Sequence, residues 1–377
     1  MNSTESLKHK LQSLLQPAGI IINGPSPWDL QVHHEQFYSR VIAQGSMGLG
    51  EAYMEGLYDI VAPEEFFYRI LRSGIGEHTK PADMIITYLR SIFINEQNKL
   101  SSRKVAEQHY NLSPELYMSF LDPYNQYTCC YFPDGNETLD EAAIKKLHLI
   151  CRKLQLKATD RVLDIGCGWG GFAKFAAEHY GCHVTGISIA EEQIAYARNF
   201  TQGLPVTFMN CDYRDIQGCY DKVLVCGMIE HVGYKNYHTL MNIINRCMAD
   251  NGLFLLQTIG RNDTATSGDK WIRKYIFPNS QLPSIQQLGA AVEGSFIMED
   301  WQNMGIHYYH TLMAWHRNFI KNQPQLRRDR PEYDERFYRM WEYYLLSCAG
   351  AFKARSIQLW QIVYSKNGVE NGYKPLR

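Results

Sequence analysis

Residues 162–171 read VLDIGCGWGG, and this short stretch decides the fold of the chain. An apolar strand runs into a glycine-rich turn, and the turn opens a helix over 171–180. Glycines suit such a turn because a Cβ atom would block both the tight bend and the close approach of a ligand. The stretch therefore predicts a strand, a turn and a helix that together bind a nucleotide. The alternative is a turn that only connects the strand to the helix.

The spacing of the glycines leaves the kind of nucleotide open. Gly166, Gly168 and Gly171 satisfy the dinucleotide pattern GxGxxG, so an NAD enzyme is one alternative. Against it, residues 184–190 read VTGISIA and carry no acid where the partner of the NAD ribose is expected. Asp164, two residues before the first glycine, favours instead a nucleotide that carries an amine and a sulfonium.

Outward from this turn, strands and helices alternate along the chain. Strands are predicted at 161–167, 183–189, 205–213, 221–228 and 252–259, and helices at 139–154, 171–180, 190–199 and 234–248. The alternation indicates an α/β, Rossmann-like fold with a mostly parallel sheet and helices on both faces. A long insertion at about 261–294 follows, then helices at 310–322 and 334–353, and a last strand at 357–364 that would close the sheet.

The first 98 residues have a different pattern and predict a smaller, mainly helical domain. Short helical stretches come first, residues 83–95 then form an amphipathic pattern, and residues 96–107 are a polar linker candidate. We therefore expect an amino-terminal domain over 1–98 and a second domain over 99–377.

Composition excludes several classes of protein. The 377 residues include 38 Lys and Arg against 39 Asp and Glu, and a formal net charge of −1 argues against a nucleic-acid binder. With 45% hydrophobic residues, the chain can form a core, which excludes disorder as its main state. No run approaches the ~18 apolar residues that span a bilayer, and no secretory leader pattern is present. Ten scattered cysteines without a CxxC pair favour reduced thiols in a cytoplasmic protein and no metal site.

Six further motifs resemble those of the cyclopropane-fatty-acyl-phospholipid synthases. They are GLGEAYM (48–54), YTCCYF (127–132), GMIEHVG (227–233), YIFP (275–278), LMAW (312–315) and CAGAF (348–352). The turn at 162–171 is itself similar to the first motif of Rossmann-like class I methyltransferases that use S-adenosylmethionine. The motifs occur in order over nearly the whole chain, whereas the mycolic-acid cyclopropane synthases resemble the second domain only. The chain is therefore identified as a member of the bacterial phospholipid family.

The resemblance implies a reaction on a lipid. The methyl group of S-adenosylmethionine is transferred to the cis double bond of an unsaturated acyl chain in a bilayer phospholipid, a carbocation forms, a proton leaves the new methyl group, and a cyclopropane ring closes. Because an alkene is a weak nucleophile, proximity to the sulfonium and a dry pocket must supply much of the acceleration. Aromatic faces can stabilise the cation, and the chain has 25 tyrosines.

The resemblance also implies where the enzyme works. It predicts a cytoplasmic homodimer that binds reversibly to the inner face of the cell membrane, with the first domain contributing to lipid and dimer contacts.

A base and the groups that hold it are implied as well. In this family the base is a bicarbonate ion, and the corresponding groups of this chain are Cys129, Glu230, the backbone of Ile259, and Tyr308. The family's usual histidine corresponds to Gln257, whose amide can donate to the anion but cannot become cationic. Cys348 lies in a motif that the family associates with the active site.

The cofactor contacts implied by the resemblance come from four segments of the second domain. They are Tyr127, Thr128, Asp164, Gly166, Gly168, Ser188, Gln193, Tyr213 and Arg214. Ser188 and Gln193 are expected at the ribose, in place of the acid missing from the second strand. Asp164 is expected to act through backbone amides of the glycine turn.

Two basic stretches offer an enzyme without a membrane span a way to bind an anionic membrane surface. Residues 144–157 hold five lysines and arginines and no acid, and residues 317–330 hold five against one acid. Solvated helix faces are the alternative for both stretches.

Two other functions stay open at this point. A soluble methyltransferase acting on N or O of a small metabolite or lipid head group would need neither bicarbonate nor an acyl pocket. A catalytically silent S-adenosylmethionine-binding or membrane-scaffold protein would not need Glu230, Tyr308 and the Cys129 segment together.

Overall fold

The amino-terminal region is mainly helical in a computed structural model that describes residues 3–74, 113–265 and 268–377. Its described elements are α1 (Ser3–Leu15), β1 (Gln31–Val32), α2 (Gln36–Gln44), α3 (Ser46–Met54), β2 (Tyr58–Asp59) and α4 (Pro63–Arg72). The two short strands pair antiparallel. The predicted helix at 83–95, the linker at 96–107 and the boundary between 98 and 99 lie outside the described residues, so the division into two domains stays a prediction.

A seven-stranded sheet forms the centre of the second region. Its strands are β3 (Arg161–Ile165), β4 (His183–Ser188), β5 (Val206–Asn210), β6 (Tyr220–Cys226), β7 (Met248–Arg261), β8 (Ile297–Asn303) and β9 (Ile357–Ser365). Their order is β5-β4-β3-β6-β7-β9-β8; β3 to β7 run parallel, and β9 runs antiparallel between β7 and β8. The predicted Rossmann-like fold is confirmed, but the last strand lies inside the sheet and does not close its edge.

Helices cover both faces of this sheet. The described helices of this region, not all of which touch the sheet, are α5 (Pro114–Met118), α6 (Leu139–Lys153), α7 (Gly171–Tyr180), α8 (Glu191–Phe200), α9 (Tyr237–Cys247), α10 (Lys270–Tyr275), α11 (Ile285–Val292), α12 (Gly305–Asp329) and α13 (Glu335–Lys353). Successive side chains of a strand point to opposite faces. Val162 accordingly lies in one apolar cluster with residues of α6 and α7, and Leu163 in another with residues of α9.

The insertion and the carboxyl-terminal part differ from the sequence prediction in detail. Strand β8 is not predicted, because it is a partly exposed edge strand with several polar residues and, among the described strands, pairs with β9 alone. Its buried Asp300 binds Arg377 at 2.6 and 2.8 Å. Helix α12 extends beyond the predicted 310–322 and continues through Pro324.

Helices α3 and α4 pack closely against α10 and α13. Glycines stand at the contact points: a Cβ on Gly50 would lie 2.4 Å from the ring of Trp271, and one on Gly350 would lie 2.5 Å from Cβ of Phe67. One apolar cluster contains residues of both regions. The amino-terminal helices therefore share their core with the second region.

The basic stretch at 144–157 does not form the expected basic surface. Lys146 and Lys153 are fully buried, and Lys145 pairs with two carboxylates at 3.0 and 2.7 Å. The two buried lysines are seven residues apart, which is about two helical turns, so they lie on one side of α6. The expectation that all five cations lie on one surface is wrong, and docking of this stretch on an anionic membrane stays a prediction.

Candidate active site

A cleft of about 1450 Å³, its open mouth included, lies where β3, β4 and β6 end. All nine residues that the sequence assigns to the cofactor line it: Tyr127, Thr128, Asp164, Gly166, Gly168, Ser188, Gln193, Tyr213 and Arg214. The carboxyl ends of parallel strands are where open α/β sheets bind their ligands. The structure thus brings the nine residues together at the place where such folds bind nucleotides.

The glycine turn shapes one wall of the cleft. Gly168 has a φ of +51°, which side chains disfavour, and no described protein atom lies within 4 Å of the place of its missing Cβ. A Cβ on Gly171, by contrast, would lie 1.8 Å from the carbonyl oxygen of Tyr124. Glycine at 168 leaves space on the side of the turn that faces the cleft. Glycine at 171 allows the backbone at Tyr124 to pass close to the start of α7.

Ser188 and Gln193 form a hydrogen-bonded pair after β4. Ser188 Oγ donates to Gln193 Oε1 at 3.3 Å and accepts from the Ala190 N–H at 3.1 Å. The pair occupies the end of the second strand, where an NAD enzyme carries its acid. A hydroxyl and an amide can both donate to and accept from ribose hydroxyls, so the expected replacement is chemically sound.

Asp212 holds the turn that carries Tyr213 and Arg214. It accepts from the Arg214 N–H at 2.9 Å and pairs with the guanidinium at 3.1 Å. The guanidinium carbon lies 4.8 Å from the centroid of the Tyr213 ring. Asp212 also lines the cleft, although the sequence does not single it out.

Asp164 lies at the end of β3 and lines the cleft. Burial raises the pKa of its carboxyl to about 7, and the positive charge of Lys146 opposes this rise. Within residues 113–265, no hydrogen bond joins this carboxyl to the glycine turn, so the expected action through backbone amides is not seen.

A segment that we call the strap, residues 122–132, lines the cleft with its residues 125–128 and passes close to Gly171 at the end of the glycine turn. Asp122 accepts from two backbone N–H groups of the strap at 2.8 and 3.0 Å. Further along, the Cys130 N–H donates to Thr311 Oγ1 of α12 at 3.0 Å. The strap is therefore fixed by its own first turn and by α12.

Lys146 is a cleft residue that the sequence does not assign to the site. Its Nζ donates to Thr128 Oγ1 at 2.8 Å and to Gln126 Oε1. A signal was present in the spacing, because Lys146 lies three residues after Ala143 and four before Ile150, both on the apolar side of the helix. The run of basic residues around it favoured a surface position instead.

Glu230, in the loop after β6, is the centre of the predicted catalytic group. Its side chain is buried, Oε1 accepts from the Ile259 N–H at 2.7 Å, and Oε2 has no partner among the described residues. Burial raises the pKa of this carboxyl to about 7, although the Ile259 N–H favours the charged form. The backbone of Ile259 thus points to Glu230, and Oε2 remains available as an acceptor.

Gln257 lies two residues before Ile259 on β7. Its Oε1 accepts from Gln361 Nε2 of β9 at 2.8 Å, and its own Nε2 has no partner among the described residues. Side chains two apart on a strand share a face, so the amide is on the same side as the Ile259 side chain. A buried donor without a partner costs about 1–3 kcal/mol, and Gln361 Oε1 likewise has no partner among the described residues.

Tyr308 lies near the other members of the group. Its ring stacks on Phe352 with centroids 4.6 Å apart, and it interacts electrostatically with Cys129, Glu230 and Cys348. Burial raises the pKa of Tyr308 and Cys129 well above their ordinary values, and that of Cys348 to about 12. The phenol and the thiols are therefore protonated at neutral pH, and the structure places Cys129, Glu230 and Cys348 near Tyr308.

Four rings, which we call the aromatic wall, connect the cleft to this group: Tyr127, Phe277, Trp315 and Tyr344. Tyr127 Oη donates to Tyr344 Oη at 2.8 Å, and the Tyr127 ring centroid lies 5.3 Å from that of Trp315. Trp315 lies in turn 6.0 Å from the ring of Tyr308. Tyr127 therefore borders both the cleft and an aromatic space beside the catalytic group.

Comparison with known proteins gives the family. The family model described as mycolic acid cyclopropane synthetase matches residues 97–362. The cyclopropane-fatty-acyl-phospholipid synthase of Escherichia coli (strain K12) is 44% identical over 366 residues, covering 97% of this chain and 94% of that enzyme.

Comparison with solved structures gives the same family. The mycolic acid cyclopropane synthase CmaA1 complexed with SAH and CTAB superposes with a TM-score of 0.65 at 27% identity, over 70% of this chain and 98% of that one. Coclaurine N-methyltransferase shares the class I methyltransferase fold, with a TM-score of 0.69 at 22% identity over 84% of this chain and 99% of that one. With a family model over most of its length and a relative at 44% identity along nearly all of it, the chain belongs to the cyclopropane synthase family of S-adenosylmethionine-dependent transferases.

Proposed function

We propose that this enzyme transfers a methyl group from S-adenosylmethionine to the cis double bond of an unsaturated acyl chain in a phospholipid and closes a cyclopropane ring with loss of a proton. The observation that carries the proposal is the buried Glu230 group next to a nucleotide-type cleft, with the aromatic wall between them. The name of the Escherichia coli relative, at 44% identity, supports the same reaction.

The cleft residues fit S-adenosylmethionine. Ser188 and Gln193 offer neutral donors and acceptors for ribose hydroxyls, and the carboxyl of Asp164 suits a positively charged ligand. CmaA1, at 27% identity, was solved with SAH, the product that S-adenosylmethionine leaves after methyl transfer. When bound, the cofactor supplies a methyl group on a sulfonium, which is electrophilic enough to react with an alkene.

The residues around Glu230 fit a bicarbonate ion. A bicarbonate ion needs one acceptor for its O–H group and donors for its oxygens. Glu230 Oε2 is an unpartnered acceptor, and Gln257 Nε2 is an unpartnered donor among the described residues. Tyr308 adds a protonated O–H group, whereas the Cys129 thiol, also protonated, donates to the Cys130 carbonyl oxygen at 3.1 Å and would have to turn from it to reach the anion. Bicarbonate would supply the base that accepts the proton lost on ring closure.

The chain's own residues have three tasks in this proposal. The aromatic wall excludes water and presents ring faces to developing positive charge. Glu230 holds the base by accepting its O–H group, and Gln361 keeps the Gln257 amide turned with its NH₂ group free. The strap holds Tyr127 at the cleft and Cys129 near Tyr308.

Mass analysis of the lipid tests the reaction. The full chain is incubated with S-adenosylmethionine, bicarbonate and vesicles of a monounsaturated phospholipid. We expect the acyl chain to gain one CH₂ group and lose its double bond. A head group that gains this mass while the double bond stays intact would contradict the proposal and favour a head-group methyltransferase. Unchanged lipid would favour a catalytically silent protein.

Replacing Gln257 by alanine should weaken bicarbonate binding. The variant loses the free amide donor, so we expect the bicarbonate concentration for half-maximal turnover to rise about tenfold, with little change in the affinity for SAH. Turnover is measured against added bicarbonate in bicarbonate-depleted buffer. Gln358→Ala is the control. Gln358 is a buried glutamine too, but it lies on β9 and its Oε1 accepts hydrogen bonds from Asn303 and Arg355. An unchanged bicarbonate dependence in Gln257→Ala would contradict this role.

For membrane binding, we propose the exposed face of α12. No helix in the described part of the chain has the length and apolar character to cross a membrane. Arg317, Ile320, Lys321 and Arg328 are exposed at helical spacing, whereas Arg327 is paired with Glu335 at 2.7 Å. The face combines positive charge with an apolar side chain, as binding to an anionic surface requires.

The variant Arg317→Gln/Lys321→Gln/Arg328→Gln should bind anionic vesicles about a hundredfold more weakly, at about 1 kcal/mol for each charge. Co-sedimentation with vesicles at low salt measures this. The control Arg152→Gln/Lys157→Gln removes two exposed cations outside the face. Equal binding of the wild type to neutral and anionic vesicles would refute the proposal. Assembly into a homodimer stays a prediction, which analytical ultracentrifugation would check.

A further inference from the structure

Lys146 is buried in a way that a packing role does not explain. Its side chain has no exposed surface, and among the described residues no carboxylate lies within ion-pair distance of Nζ. Its two acceptors, Thr128 Oγ1 at 2.8 Å and Gln126 Oε1, are neutral. Taking an ammonium group out of water costs several kcal/mol. The two neutral acceptors offset part of this cost, and the buried carboxyls of Asp164 and Asp122 contribute by electrostatic attraction from beyond ion-pair distance. An apolar side chain of the same length would be better suited to a purely structural position.

Both acceptors belong to the strap and both line the cleft. They are 18 and 20 residues away along the chain, so the ammonium group joins two elements that local structure does not join. Asp122 fixes the first turn of the strap and Thr311 fixes its far end. Between these two points, Lys146 anchors the strap by binding Gln126 and Thr128, the residues on either side of Tyr127.

The anchored residues border both halves of the site. Tyr127 and Thr128 face the cleft, and the next residue, Cys129, interacts with Tyr308 on the catalytic side. Thr128 also packs tightly at the end of β6, where its Cγ2 lies 3.1 Å from the place of a Cβ on Gly227. A displacement of Thr128 would therefore move the wall of the cleft and the catalytic cysteine together.

We propose that Lys146 is a positioning residue for the reaction: its ammonium group holds Thr128 and Gln126, and through them sets the distance between the cofactor and the catalytic group. The inference rests on the proposed function, because it takes the cleft as the S-adenosylmethionine site. Lys146 acts through the strap: it borders the cleft, but its side chain has no exposed surface, and its ammonium group donates to Thr128 and Gln126.

Lys146→Met and Thr128→Val in a double-mutant cycle test this role. Methionine keeps the length of the side chain, and valine keeps the shape of threonine without its hydroxyl. By isothermal titration with SAH, we expect about tenfold weaker binding for Lys146→Met and about fivefold for Thr128→Val. The double variant should be no weaker than Lys146→Met alone, because both changes break the same contact.

Lys153→Met is the matched control. Lys153 is equally buried on α6, but its Nζ donates to Gln302 Oε1 at 2.6 Å and lies 3.6 Å from Asp300, away from the cleft. This variant should lower the melting temperature and leave SAH affinity within twofold. For Lys146→Met we also expect turnover at saturating substrate to fall about tenfold, a change that lost stability alone would not produce in the folded fraction.

The outcomes separate the inference from the proposed function. If the wild-type chain does not bind SAH, the proposed function fails and the inference fails with it. If the wild type binds SAH and folded Lys146→Met binds equally well, the inference alone is overturned. If Lys146→Met does not fold, Gln126→Leu decides, because this change breaks the other bond of the anchor at a residue outside the nine predicted cofactor contacts: weaker binding supports the role of the anchor, and wild-type affinity overturns it.

Discussion

Glu230→Gln should reduce ring formation about a thousandfold while SAH affinity stays within twofold. Glutamine keeps the size of the side chain and can still accept the Ile259 N–H, which now lies 2.7 Å from Oε1. The unpartnered Oε2, however, becomes an NH₂ group, which cannot accept the O–H group of a bound base. The loss lies within the usual range for disrupted acid–base chemistry. Turnover of an unsaturated phospholipid and SAH titration measure the two quantities.

The pH dependence follows from the same carboxyl. Burial raises the pKa of Glu230 to about 7, so the carboxylate that the reaction needs is present above this pH and is lost as the pH falls through it. Turnover of the wild type should therefore decline below pH about 7.

Glu299→Gln is the control for the Glu230→Gln variant, because Glu299 also accepts a backbone N–H, from Val369 at 2.9 Å, but lies on the edge strand. A Glu230→Gln variant that keeps a tenth of wild-type turnover would contradict the assignment.

Gly171→Ala should destabilise the enzyme and open the cofactor cleft. The new Cβ would lie 1.8 Å from the carbonyl oxygen of Tyr124 and 2.5 Å from Gln126 Nε2. Because the backbone fixes the position of a Cβ, rotation of the side chain cannot relieve the clash with the carbonyl oxygen. We expect the free energy of unfolding to fall by about 3 kcal/mol, because the strap must move away from α7. SAH should bind more than tenfold more weakly. Urea denaturation and calorimetric titration measure these effects.

Gly289→Ala is the control, because we expect it to stabilise the enzyme where Gly171→Ala destabilises it. Gly289 lies inside α11, and, apart from its own stretch of helix, no heavy atom of the described residues lies within 4 Å of the place of its Cβ. Alanine should therefore raise the free energy of unfolding by about 0.5–1 kcal/mol, since it costs less entropy in a helix than glycine. SAH affinity should not change. If Gly171→Ala binds SAH normally, the strap is not held against α7 as described.

The fold and the cofactor cleft could be predicted because their signals are local. The residues at 162–171 join strand, turn and helix in one stretch, and the alternation of elements after it has the regular lengths of a parallel sheet. Strand β8 could not be predicted, because an edge strand needs no continuous apolar pattern and its stability comes from pairing with the distant β9.

The contacts within the catalytic group and the burial of Lys146 could not be predicted from the sequence. Gln361 faces Gln257 only because β9 inserts beside β7, a pairing between residues about a hundred positions apart that no local pattern contains. Lys146 has a local signal, its place on the apolar side of α6, but neighbouring basic residues obscured it. Charge counted along a sequence thus predicted a surface where three-dimensional packing formed an interior contact.

The close packing of α3 and α4 on α10 and α13 has a consequence for engineering and for relatives of different length. At Gly50 and Gly350 the two regions meet without space for a methyl group, and Trp271 is covered there. A shortened enzyme that begins after α4 would present this aromatic surface to water and tend to aggregate. Any active enzyme of this fold without these helices therefore needs more polar residues on the corresponding faces of α10 and α13.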